Sequence, residues 1–82
     1  MEPIDDARYF ADYGNLSLEV RPLPSANQLS YAFRVVDKSD GLVCWVGERP
    51  SLDAARSSAL LEAQIFLDGP TPLAPRWEVG HL

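Results

Sequence analysis

The sequence predicts an α+β domain: an antiparallel sheet of three strands, or four, with one long helix packed on one face, in the order βββα. Three observations predict it. Residues 16–21 and 29–36 alternate in polarity with a period of two. Asp37-Lys38-Ser39-Asp40-Gly41 then separates the second run from a third, apolar one, as a hairpin turn does. Residues 52–67 hold no glycine or proline and repeat apolar side chains at helical spacing. At 82 residues the chain has room for one such domain. Its core would span 16–68, between an N-terminal arm (1–15) and a proline-rich C-terminal tail (70–82).

In the arm, Ile4, Ala7, Tyr9, Phe10 and Tyr13 are apolar enough to dock. Asp5 or Asp6 can cap a short N-terminal helix that stops at Gly14-Asn15. In the first strand Leu16, Leu18 and Val20 oppose Ser17, Glu19 and Arg21. Pro22 and Pro24 are expected to end it, since proline gives a sheet no ladder donor. The second strand sets Leu29, Tyr31, Phe33 and Val35 on one face and Ser30, Ala32, Arg34 and Val36 on the other. The third, residues 42–47, is apolar on both faces.

The turn decides where Trp45 points. A four-residue loop, Lys38 to Gly41, pairs Asp37 with Leu42 and suits a glycine of positive φ at its last position. Leu42, Cys44 and Val46 then share the face of Tyr31, Phe33 and Val35. Trp45 falls across from Arg34, near Val36 and Val43. A slip of one residue would reverse every side chain of this strand.

Ser51 is a good helix N-cap, and Asp53 suits the positive end of the helix dipole. Leu52, Ala55, Ala59, Leu60, Ala63, Phe66 and Leu67 form the stripe that faces the sheet, and Gly69-Pro70 closes the helix. Leu61 and Ile65 fall on the opposite side, alongside Ala54. Beyond the helix, Trp77-Glu78-Val79 can add a short fourth strand.

Charge and reactive groups narrow the function. The net charge is −5, with one lysine and six scattered arginines, a poor match to the phosphate backbone of nucleic acid or to an anionic membrane. The single cysteine, Cys44, sits in an apolar run and reads as a structural thiol. It fits a reducing cytoplasm, as does the absence of an apolar leader. His81, second from the end, reads as a terminal side chain. Asp5-Asp6 reads as a helix start. Asp37 and Asp40 read as turn residues, without the further oxygen ligands of a calcium loop. The isolated glycines make no phosphate cradle. No catalytic constellation, cofactor site or metal site is expected.

Apolar side chains left on the surface carry more information. On the sheet, Trp45, Val36 and Val43 with Arg34 form either an association surface or a face that the terminal segments cover. Arg34 beside Trp45 would suit cation–π stacking. On the helix, Leu61 and Ile65 with Ala54 favour a partner, because one terminal arm covers only one face.

This order of elements, the glycine-closed hairpin and the start Ser51-Leu52-Asp53-Ala54-Ala55 resemble small bacterial βββα proteins of double-stranded-RNA-binding-like or HicB-antitoxin-like shape, over residues 16–68. The resemblance implies the fold and carries over no functional residue. HicB-like chains have a longer Pro-Gly-rich stretch where Gly47-Glu48-Arg49-Pro50 stands here. RNA-binding domains of this shape carry a basic cluster at the helix start, where this chain has Asp53 and a single Arg56. The function expected from these residues is a non-catalytic protein-interaction or regulatory module acting as a homodimer. The alternative is a nucleic-acid-associated regulator of antitoxin type, in which dimerisation gathers the arginines.

Overall fold

A computed structural model describes residues 8–24, 29–73 and 75–80. It is an α+β structure with five strands and one helix: β1 (Arg8–Tyr13), β2 (Leu16–Pro24), β3 (Leu29–Asp37), β4 (Val43–Arg49), α1 (Leu52–Phe66) and β5 (Glu78–Gly80). The sheet runs β4-β3-β2-β1-β5, with every neighbouring pair antiparallel.

The sheet is wider than the expected three or four strands because residues 8–13 of the arm form a strand and not a helix. In β1, Tyr9, Ala11 and Tyr13 pair with Val20, Leu18 and Leu16. Ala11 and Tyr13 are buried, whereas Phe10 and Asp12 face the other way and are exposed. Phe10 on the outward parity hides the alternation from sequence reading, although aromatic residues favour strands. Gly14-Asn15 is a two-residue hairpin loop and not a helix stop. Glycine at its first position has φ 60°, as a primed hairpin turn requires. A Cβ there would also lie 2.7 Å from Leu67 Cδ1. The proposed cap at Asp5 or Asp6 lies outside the described residues.

Pro22 and Pro24 do not end β2, which continues through both and pairs them with Tyr31 and Leu29 of β3. The pairing of β2 with β1 stops at Val20. Beyond it one side of β2 is an open edge among the described residues, and an edge tolerates the missing donor. Glu78–Gly80 does form the short extra strand, paired to β1.

The four-residue loop forms as expected. Asp37 N–H donates to Leu42 O (2.9 Å), Gly41 N–H donates to Asp37 O (2.8 Å), and Gly41 has φ 73°. Asp37 Oδ1 accepts from the backbone N–H and hydroxyl of Ser39, and Asp40 Oδ1 accepts from Leu42 N–H. The two aspartates are thus turn-formers, as read.

Past the loop, a β-bulge changes the register. Val36 pairs with Val43, but Val35 pairs with Trp45 and Arg34 with Val46. Cys44 is the extra residue. Trp45 therefore lies on the face of Val35 and not across from Arg34, and Val46 takes the outer position opposite Arg34. The expectation that Val46 and Leu42 join the core is overturned. Both are exposed, and only Cys44 packs against it.

α1 lies against β2, β3 and β4. Ser51 Oγ caps it by accepting from Ala54 N–H at 3.1 Å. Ala55, Ala59 and Ala63 are fully buried against Leu16, Leu18, Val20, Phe33 and Val35. Phe66, expected in that stripe, is exposed. Leu60, Leu67, Tyr9 and Trp77 fill in beside the core, and Trp77 touches both of its halves. Arg56 stacks over Tyr9 (4.8 Å to the ring centroid) and Trp77 (5.7 Å), tying the helix to the β1–β5 side. At the far end Asn15 Oδ1 accepts from Asp68 N–H (3.0 Å) just past the helix. No helix among the described residues is long and apolar enough to cross a membrane.

Two outcomes follow. A Cβ at position 47 would lie 2.5 Å from the Phe33 ring, so Gly47→Ala should destabilise by about 1–3 kcal/mol in denaturant unfolding. Its hydrogen bonds from Ser39 hold the Asp37 carboxyl below its ordinary 3.8. A depressed folded value means the contribution is present above 3.8 and is lost as pH falls through the lower folded value. The Asp37 carboxyl resonance should titrate below 3.8, and Ser39→Ala should move its midpoint up.

Candidate functional site

The residues expected at the surface fall on two sides of β4. On the outer face, away from the helix, Val36 pairs with Val43 and Arg34 stands between Val46 and Glu19. Arg34 Nη2 lies 3.1 Å from Glu19 Oε2. The expected stacking of Arg34 on Trp45 is therefore absent, because the bulge puts them on opposite faces. On the inner face, Trp45 projects from the edge strand beside α1 and stays 45% exposed.

The helix carries its exposed apolar residues toward the same edge. Arg49, on β4, donates from Nε to Ser58 Oγ at 2.9 Å, which marks the β4-facing flank of α1. At 3.6 residues per turn, Ser58, Leu61 and Ile65 fall within an arc of roughly 60°. Leu61 is 62% and Ile65 71% exposed, while Ala54, on the same stripe, is half-buried. The structure thus exposes Trp45 on the edge strand and, on the helix, Leu61 and Ile65 between its β4-facing flank and its solvent side. It leaves Val36, Val43 and Arg34 on the other face of the same strands. Sequence reading missed Val46, which the bulge turns outward, and Phe66.

β4 is the edge of the sheet. Its backbone presents a row of groups with no strand beyond it among the described residues, a template for pairing. The bulge at Cys44 blunts one end of that row. The rest, Trp45 to Arg49, holds neither proline nor lysine.

The outer face also holds a depression of about 250 Å³, lined by Arg8, Arg21, Arg34, Glu19, Ala32 and Val46 among others. Register explains it. Ala32 pairs with Arg21 on one side and Glu48 on the other, so a small side chain forms a floor ringed by long ones. Arg8 precedes Tyr9, whose partner is Val20, and so stands next to Arg21. Sequence reading saw these arginines as scattered. They share one outward parity once residues 8–13 are recognised as a strand.

His81, Asp5 and Asp6 lie outside the described residues. Cys44 is half-buried against the core. Among the described residues no three His, Cys, Asp or Glu side chains gather as metal ligands. No family, curated relative or solved structure matches the chain.

A fold-level outcome separates surface from core here. Leu61→Asp and Ile65→Asp should each change unfolding free energy by no more than about 0.5 kcal/mol in a monomer, whereas Leu18→Ala should cost about 2–5 kcal/mol.

Proposed function

We propose that the chain is a non-catalytic protein-interaction module that works as a homodimer joined along β4. One observation carries the reading: the edge strand and the helix flank beside it both present large apolar side chains to solvent. Leu42, Val43, Trp45, Val46, Leu61 and Ile65 are all exposed there.

A second copy is the occupant that suits both parts at once. An antiparallel β4–β4 pairing about a two-fold axis continues the sheet and satisfies the open backbone groups of both strands. The same axis sets the two helix flanks facing one another, with Trp45 of each copy filling the space between them. A self-complementary patch of this kind is what a two-fold interface requires. Burying an exposed Leu or Ile side chain contributes about 1.5–3 kcal/mol, so two such positions per copy give the seam useful affinity.

Sedimentation equilibrium across micromolar to millimolar concentrations tests it. The wild-type chain should dimerise, and Leu61→Asp with Ile65→Asp should weaken the dimer at least a hundredfold (about 2.7 kcal/mol) while leaving the circular dichroism spectrum unchanged. A wild-type chain that stays monomeric at millimolar concentration contradicts the proposal.

A further inference from the structure

The arginine-lined depression on the outer face lies away from the helix flank and does not depend on association. We propose that it is a binding site for a compact oxyanion, the phosphate or carboxylate groups of a small polyanionic ligand. Arg8, Arg21 and Arg34 line it, and Glu19 is the one carboxylate among its lining residues. The lining is therefore cationic in a chain whose net charge is −5, so the concentration of guanidinium groups is local.

Two acidic neighbours leave that charge incompletely neutralised. Glu48 pairs with the floor residue Ala32 and could neutralise the arginines, but its Oε1 accepts from Ser30 Oγ at 2.9 Å, toward the far end of β3. Glu19 engages Arg34 through Nη2 alone, so the other donors of that guanidinium stay open. Arg21 is exposed and forms no ion pair among the described residues. Guanidinium forks match the geometry of phosphate and carboxylate oxygens and bind them in pairs. The floor at Ala32 and the apolar wall at Val46 leave room for a small ligand. A long polyanion fits less well. Beyond the depression, among the described residues, this face carries Asp12, Glu48 and Glu78 against Lys38 and Arg76, with no continuous basic track.

Nuclear magnetic resonance titration of the full chain at low ionic strength tests the site, with pyrophosphate, citrate and a single-stranded oligonucleotide as separate probes. Pyrophosphate or citrate should shift the Ala32, Val46 and Gly47 amides saturably, and the tighter of the two names the source of the oxyanion. Arg21→Gln, an exposed position, should weaken that binding about tenfold. Glu19→Gln should strengthen it by freeing Arg34. Three results would overturn the proposal: no saturable shift with either small anion, shifts indifferent to Arg21→Gln, or an oligonucleotide bound more tightly than both with a steep dependence on salt.

Discussion

Ala55, Ala59 and Ala63 have no exposed surface because they carry α1 directly onto the inner face of β2 and β3. That contact constrains the rest of the molecule. Five strands at about 4.8 Å spacing span roughly 19 Å between outer axes, and a helix with its side chains is about 10 Å across. One helix therefore roofs the middle of the sheet and leaves a margin on each side. The β1–β5 margin is filled by Tyr9, Leu60, Leu67 and Trp77, with Arg56 stacked across two of the rings. At the β4 margin Trp45, Leu61 and Ile65 remain in water. The asymmetry follows from chain order: the segment after the helix returns to β1, so it cannot also cover β4.

The two proposals give the two faces of the sheet different tasks. The inner face is apolar, and its exposed remainder is suited to a second protein surface. The outer face alternates arginine, glutamate and small residues around Ala32, and is suited to a charged small ligand. Val46 belongs to both the edge strand and the lining of the depression, so pairing along β4 would set one such depression on either side of the seam.

Much of this architecture was legible in the residues. Period two in 16–21 and 29–36, the glycine-closed loop at Gly41 and the Ser51 cap each report a local backbone preference, and each is found where expected. Features that depend on a competing local signal were not legible. Phe10 on the outward parity concealed β1, and Gly14-Asn15 serves a helix stop and a hairpin turn equally well. The prolines of β2 lie past the last β1 partner among the described residues, a long-range fact. The bulge at Cys44 has no local mark, yet it exchanged Trp45 and Val46 between faces. Leu61 and Ile65 were recognisable as surface residues from helical spacing alone. That they begin from the β4-facing side of α1 follows from the sheet, as does the meeting of three arginines distant in sequence.

In the proposed dimer, β4 is an unroofed edge which a second copy covers. Amide hydrogen exchange of β4, followed from dilute to concentrated protein, reads that cover residue by residue. The Trp45–Arg49 amides without a β3 partner should exchange rapidly in dilute solution and gain protection as concentration rises, while β2 amides stay protected throughout. Rates for those β4 amides that stay the same at every concentration would contradict it.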